Sequence, residues 1–359
     1  MAKKYHQILK GRGTSGNPDN RYTEHQREFI DDGWDNLEQQ PAPLHTSLTV
    51  DSSRSVICYN QSPDVPVDRS INPYRGCEHG CVYCFARPSH AYLGLSPGLD
   101  FETKLFYKPD AATLLRKELS KKRYHCQPIA LGINTDAYQP SERELGLTRQ
   151  ILEVLLEFKH PVSIVTKSSL IERDMDILGE MAKLNLVQVV LSIPTLNHPL
   201  ARTLEPRATA PQRRMKTVQR LAAAGIPVAV FIAPLIPVLT DSEMETIIKQ
   251  SKLAGANEVG YIMLRLPHEL KTLFQDWLQE HQPLKAAHVM ARIKDLSGGK
   301  EYNAEFGNRM TGTGIYAELM AQRFKQAIKK ADFPGMSELD CSLFQAPVAN
   351  TPQMSLFPL

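Results

Sequence analysis

The chain has 359 residues, with 42 lysines and arginines against 39 aspartates and glutamates and a formal charge of +3. Hydrophobic residues make up 42% and charged residues 23%. Those are the proportions of a globular protein with a sizeable core, which excludes a wholly disordered chain and a collagen-like fibre. No apolar run approaches the roughly 18 residues a membrane-spanning helix needs. The start, Met1-Ala-Lys-Lys-Tyr-His, lacks the apolar core of an export signal. The expectation is a cytoplasmic protein without a membrane partner. A pI near 8.4 permits nucleic acid as a partner without arguing for it, since strongly basic domains lie above about 9.

Residues 1–68 are polar and rich in Pro, Asn and Asp, and read as an N-terminal arm. Only 47–59 alternates enough to predict a short strand or hairpin. Lys3, Lys4, Lys10 and Arg12 make a basic start that would suit phosphate, or else a solvated terminus. From residue 69 the pattern becomes regular. Strands are predicted at 70–75, 129–134, 162–166, 187–193, 228–233 and 258–264. Helices are predicted at 110–121, 145–158, 175–183, 212–224 and 242–254. Gly225-Ile226-Pro227 ends one helix before the next strand. Strands alternating with helices of this length imply βαβ units and a parallel sheet. Six units are two short of a closed (β/α)8 barrel, so the expected fold is α/β, a partial (β/α)6 TIM-type barrel over 69–267. Its site should lie at the C-terminal ends of the strands. Helices at 269–280, 284–296 and 315–329 form a C-terminal helical extension over 268–332. Residues 333–359, rich in Pro, Ser, Asn and Gln, read as a flexible tail.

Six cysteines are too few for a disulfide scaffold, and without an export signal they should stay reduced. Cys58, Cys126 and Cys341 are scattered, whereas Cys77, Cys81 and Cys84 crowd into the loop after the first strand. In a reduced compartment such a cluster reads as metal binding or catalysis. Three thiolates on one loop suit a corner of an iron–sulfur cube. Full protein ligation of a [4Fe–4S] cluster takes four cysteines, so three leave one iron open. Gly76 and Gly80 permit the backbone angles a tight loop needs. The alternative is zinc, which wants four ligands; His79 would be the fourth, but no second cysteine pair exists.

The spacing Cys-x3-Cys-x-aromatic-Cys, with Tyr83 as the aromatic residue, resembles the signature of the radical S-adenosylmethionine (radical SAM) superfamily. The flanks Asn72-Pro73-Tyr74-Arg75-Gly76-Cys77 and Cys81-Val82-Tyr83-Cys84-Phe85-Ala86-Arg87 are similar to the branch related to spore photoproduct lyase, often labelled "DNA repair photolyase". The resemblance spans about residues 69–266. It implies that Cys77, Cys81 and Cys84 hold one [4Fe–4S] cluster whose open iron binds S-adenosylmethionine. An electron from a reductant such as flavodoxin or ferredoxin would then cleave that cofactor to methionine and a 5′-deoxyadenosyl radical, which abstracts hydrogen from the substrate. The cofactor carries the hard chemistry and the protein positions it.

Other strand ends supply candidate cofactor contacts. Asn134-Thr135-Asp136-Ala137-Tyr138-Gln139-Pro140 resembles the family's Thr-Asp-x-Tyr-Gln-Pro segment; Asp136 would accept from the methionine amino group, or simply form an Asx turn. Lys167 suits the methionine carboxylate, and Ser192 the ribose. Arg207, after Glu205-Pro206, would hold the cofactor carboxylate or the substrate backbone, since arginine binds carboxylates and phosphates bidentately. Arg213, Arg214, Lys216 and Arg220 read as a solvated helix face. Ala233-Pro234-Leu235-Ile236-Pro237 reads as an adenine wall or as plain core, and Arg265 stands at the mouth. The branch's hydrogen-donor cysteine is missing: the second strand contains none and Cys126 lies at its wrong end, which leaves Tyr138 as a substitute donor.

The end of the chain, Gln353-Met354-Ser355-Leu356-Phe357, resembles the pentapeptide that binds the bacterial DNA polymerase sliding clamp. Alternatively Leu356 and Phe357 dock on the protein's own surface, a reading kept open by the echo Asp340-Cys341-Ser342-Leu343-Phe344. The leading expectation is a radical SAM enzyme acting in DNA repair or modification. The alternatives are radical modification of RNA, protein or a small molecule, and a non-catalytic iron–sulfur sensor or scaffold.

Overall fold

The computed structural model describes residues 10–22 and 44–346. Ten strands form two sheets: β1 (Ser47–Val50), β2 (Ile57–Tyr59), β3 (Arg69–Ile71), β4 (Tyr74–Arg75), β5 (Lys104–Tyr107), β6 (Ile129–Leu131), β7 (Val162–Thr166), β8 (Val187–Ser192), β9 (Val228–Leu235) and β10 (Glu258–Met263). The larger sheet has the order β10-β9-β8-β7-β6-β3-β2. Its strands β3 and β6 to β10 run parallel in chain order. Sequential order is the winding of a barrel, and among the described strands no pairing joins β10 to β3. Instead β2 pairs antiparallel with β3 at that edge. The architecture is the expected partial barrel.

One register row shows why these strands form. Ile71, Leu131, Ile164, Val189 and Val228 are paired in succession across five strands, and each is fully buried. They meet Ile151, Ile177, Val218 and Ile247 from the covering helices in one apolar cluster. Burial of each such side chain is worth about 1.5–3 kcal/mol. The period of two turns Ser70, Ala130 and Ser163 to the other face, so small residues line that side. The helices follow the same logic. Leu147–Glu157 buries Ile151, Leu152, Val154 and Leu155, the spacing of one helical face. Pro211–Ala223 stops at Gly225, whose φ of 74° is the left-handed turn that glycine adopts freely.

Three expectations change. Residues 47–59 do not make a hairpin: β1 pairs with β5 in a small β1-β5-β4 sheet, while β2 joins the barrel. The strand expected at 70–75 is split by Pro73, which has no N–H to give a ladder. The Asn72 side chain there accepts from the Asn134 and Thr135 N–H groups. The tail read from 333 onward is packed as far as 346. Phe344 sits 5.5 Å from the rings of Tyr124 and His160, and the Gln345 N–H reaches the Phe158 carbonyl at 3.1 Å. A few apolar anchors outweigh a polar composition. Leu343 and Phe344 of the echo therefore dock on the barrel, whereas 353–357 lies outside the described residues.

The N-terminal arm is also tied down where it is described. Arg12 donates to the Glu102 and Leu44 carbonyls, which takes it away from a phosphate role; Lys3 and Lys4 lie outside the described residues. Helices Leu270–His281 and Pro283–Leu296 pack on a second apolar cluster with Val82, Tyr83, Leu204 and Ile236. The C-terminal extension thus braces the cysteine loop. Ile236 belongs to that cluster, so this part of the presumed adenine wall is core. Helix Gly314–Ala331 buries Ala317 and Met320 against the barrel. No described helix is long and apolar enough to cross a membrane.

Candidate metal centre

The loop that follows β3 and β4 carries Cys77, Cys81 and Cys84 at the C-terminal end of the barrel strands. Gly76 and Gly80 have φ of 79° and 67°, and a side chain at Gly76 would stand 2.6 Å from Leu105. The Cys77 N–H is held by the Phe101 carbonyl at 2.9 Å, and the Val82 N–H by Leu204 at 3.0 Å. Behind the loop lies Arg87, fully buried. It donates to the carbonyls of Cys81, Gly80, Pro97 and Gly98 at 2.8–3.1 Å and to the Glu102 carboxylate at 2.6 Å. Glu102 also accepts from the Gly13 N–H and the Thr14 hydroxyl. The arm thus closes the back of the cysteine loop, a role composition did not reveal.

Cys77 and Cys81 are buried and Cys84 partly so. Burial pushes the Cys81 thiol up to about 12 and lifts Cys77 well above the ordinary thiol range. The charges of the three sulfurs act on one another, and the His79 N–H donates to Cys77. Among the described residues no three His, Cys, Asp or Glu side chains converge as a single-ion site. The His79 Nδ1 instead faces the Asp136 carboxylate at 3.3 Å.

Asp136 reaches the loop, but its oxygens are taken. They accept from the Thr166 hydroxyl at 2.6 Å, the Lys167 N–H at 2.7 Å and the Tyr138 N–H at 2.9 Å, besides His79. Burial alone would raise this carboxyl; His79 and the hydrogen bonds hold it down to about 2. Asp136 therefore ties the ends of β6 and β7 to the cysteine loop. Lys167 extends its ammonium over the Tyr83 ring, 5.8 Å from the centroid. Burial works against its charge, but Cys81 and Glu205 outweigh that and raise its pKa. The Tyr83 hydroxyl bonds Glu205, which is paired with the fully buried Arg214. Arg214 also donates to the Ser192 carbonyl at 2.7 Å, and Ser192 is buried at the end of β8.

Arg214 thus leaves the solvated face assigned to it, because Glu205 and two carbonyls give its guanidinium partners inside. Lys216 and Arg220 stay exposed, and Arg213 pairs with Glu172. Arg207 lies beside the loop, its N–H on the His79 carbonyl at 3.2 Å and its guanidinium on Glu78 at 3.1 Å. Tyr138 is buried in the main core beneath Arg173. Helix His198–Leu204, which links Asn197 to the loop through Leu204, was missed although its signal is plain. Asn197 caps it with a side-chain bond to the Leu200 N–H, and Pro199 sits in its first turn, both recognised start signals.

Comparison with known proteins agrees with this arrangement. The family model described as the Radical SAM superfamily matches residues 71–250. An uncharacterized protein of Mycobacterium bovis is 35% identical over 260 residues, 71% of this chain and 75% of that one. Another, of Methanocaldococcus jannaschii, is 30% identical over 214 residues, 59% and 76% of the two chains. Spore photoproduct lyase complexed with dinucleoside spore photoproduct superposes with a TM-score of 0.57 at 14% identity over 80% of each chain. A mutant of that lyase with bound AdoMet and dinucleoside spore photoproduct gives 0.56 at 13% identity over 80% of each. These last two likenesses are of fold. The matched residues enclose the cysteine loop and the ends of β6 to β9, and this chain is an enzyme of the radical SAM superfamily.

Proposed function

We propose that the protein binds one [4Fe–4S] cluster through Cys77, Cys81 and Cys84 and acts on DNA, in repair or modification. The observation that carries the reading is the loop itself: three thiols gathered at the barrel mouth, with Lys167 beside them and, among the described residues, no carboxylate in ion-pair contact with its ammonium. The residues fit the group. Thiolates are the ligands iron needs, and binding removes the protons that burial otherwise holds on. Three ligands leave one iron open. With S-adenosylmethionine bound, this centre would supply radical abstraction of hydrogen from the substrate.

The chain's own residues do the positioning. Lys167 is the candidate for the methionine carboxylate, and Ser192 for the ribose. Arg207 spends one donor pair on Glu78 and has others to offer the cofactor or substrate. Tyr83 forms the floor under Lys167. Asp136 acts by fixing the Lys167 backbone and His79 rather than by gripping the amino group. The DNA assignment draws support from the fold shared with a lyase solved in complex with a dinucleoside photoproduct. The reductant would be a flavodoxin or ferredoxin, and the setting the cytoplasm. The segment 353–357, by its resemblance to the clamp-binding pentapeptide, would recruit the enzyme to the sliding clamp.

Anaerobic iron and sulfide quantification with electron paramagnetic resonance tests the centre. About four irons per chain and a reduced signal that shifts on adding S-adenosylmethionine support it; zinc, or a signal indifferent to the cofactor, refutes it. Formation of 5′-deoxyadenosine that rises with damaged DNA supports the substrate class. Stimulation only by RNA, a peptide or a metabolite assigns a different one. Deletion of 353–359 should abolish capture by the clamp and spare cofactor cleavage; unchanged capture sinks the recruitment role.

A further inference from the structure

Two arginines place their guanidinium carbons over phenylalanine rings on the β10 side of the mouth. Arg309 stands 4.5 Å from the centre of the Phe306 ring. Its charge is met by Asp64, and the Ser62 hydroxyl accepts from it at 2.6 Å. Arg265, two residues past β10, stands 4.8 Å over the Phe85 ring. Among the described residues it has no carboxylate, hydroxyl or carbonyl partner. It is half-buried, and burial lowers its pKa. Tyr302, Asp64 and Cys84 act on it only through their fields, and Asp64 is already spent on Arg309 and on the Gly307 N–H at 2.7 Å.

A guanidinium withdrawn from water and left unpaired is costly, and a ligand anion that restores its hydrogen bonds recovers that cost. Phe85 directly follows the third cysteine and is 39% exposed, so Arg265 stands beside the reacting centre. The ring contact holds the guanidinium over Phe85, and a guanidinium without a protein acceptor has N–H donors to offer a two-oxygen anion. Lys167, which among the described residues also has no ion-pair partner, lies over Tyr83 on the β7 side. With Lys167 as the cofactor's candidate, Arg265 is left over. Phe306, 55% exposed on the same rim, offers a flat apolar face of the kind on which unpaired bases stack.

We propose that Arg265, oriented by Phe85, anchors a backbone phosphate of a single nucleic-acid strand and so sets which nucleotide lies at the cysteine loop. The proposal rests on the DNA reading above. Its test uses the full chain, reconstituted anaerobically with S-adenosylmethionine, and a short labelled oligothymidylate. Affinity is measured across a salt series for the wild type, R265A, R265K and F85L. R265A should bind about tenfold more weakly and lower the salt slope by about one phosphate contact, with S-adenosylmethionine affinity unchanged. R265K should keep the slope but not the affinity, because it retains charge and loses the planar fork. F85L should weaken binding without changing the slope.

Wild-type affinity and slope in R265A overturn the inference and leave the DNA reading standing. Loss of S-adenosylmethionine affinity in R265A gives the residue to the cofactor and also overturns it. A wild-type protein that binds no oligonucleotide overturns both readings together. Should R265A fail to load iron, the affinities of R265K and F85L decide the matter: weaker binding by both at an unchanged slope supports the inference, and wild-type affinity in both overturns it.

Discussion

Arg87 and Glu102, both without solvent exposure, meet at 2.6 Å directly behind the cysteine loop. Every remaining acceptor of Arg87 is a carbonyl of the loop or of the turn before Leu99. The pair converts a glycine-punctuated loop into a rigid support. Removing one partner of a buried pair leaves the other charge uncompensated, at a cost of about 3–5 kcal/mol. Glu102→Ala should therefore unfold at markedly lower denaturant and retain little iron, while Glu102→Gln should lose less of both. Gly13→Val should resemble Glu102→Ala in iron content, because a Cβ at Gly13 would stand 1.6 Å from the Gly80 carbonyl oxygen. Urea unfolding and iron analysis check both; full iron in Glu102→Ala would contradict the support role.

The cysteines divide into two classes. Replacing Cys77, Cys81 or Cys84 by alanine should abolish the visible absorbance of the reconstituted protein. Replacing Cys58, Cys126 or Cys341, all away from the mouth, should leave it at wild-type level. Spectra and iron analysis of the six single variants give the answer.

Asp136 accepts four donors from three segments, so it is a positioning residue. Asp136→Asn keeps the shape but supplies only one acceptor oxygen and no charge for His79. Changes to such supporting partners commonly cost about 10–100-fold in affinity or activity. S-adenosylmethionine affinity should fall within that range while iron content is largely retained. Equilibrium binding on the iron-loaded variant measures it, and unchanged affinity would show that the tie is dispensable.

His160 predicts a pH dependence of stability. It is fully buried; its Nδ1–H donates to the Pro161 carbonyl at 2.9 Å, and its Nε2 accepts from the Tyr124 hydroxyl at 2.7 Å. The Tyr124 bond needs an unprotonated Nε2, whereas the Pro161 bond survives protonation; burial prevails and lowers the pKa from 6.5 to about 4. The unfolded chain binds the proton first as pH falls. The stabilisation is complete above pH 6.5 and is lost on descending towards 4, by at most about 3 kcal/mol. His160→Gln should flatten that part of the stability curve, measured by urea unfolding between those limits.

Much of the architecture was legible beforehand. The strand at 162–166 coincides with its expected bounds, and helix 175–183 likewise, because period-two and period-3.6 apolar spacing survives in a sheet buried on both sides. The pairing of the short strands was not legible. A short strand was expected within 47–59, but its partner Lys104–Tyr107 was not, because a four-residue strand has too little period to name the strand it pairs with. The C-terminal stretch before residue 346 looked like a tail because its composition is polar; Phe333, Leu343 and Phe344 against the core and backbone bonds such as the Asp340 N–H to the Asn185 carbonyl hold it.

What the amino-acid order determined by itself was the rhythm of strand and helix and the spacing of three cysteines on a glycine-flanked loop. Both are local, since a periodic face and a short ligand loop need no distant residue to be recognised. What only the tertiary structure decided was which charges are engaged. Arg214 and Asp136 are occupied by Glu205 and His79 and Arg207 is partly engaged by Glu78, whereas among the described residues Lys167 and Arg265 have no ion-pair partner at the mouth. A charge's availability depends on partners that arrive from remote segments, and those meet only once the barrel has brought its strand ends together.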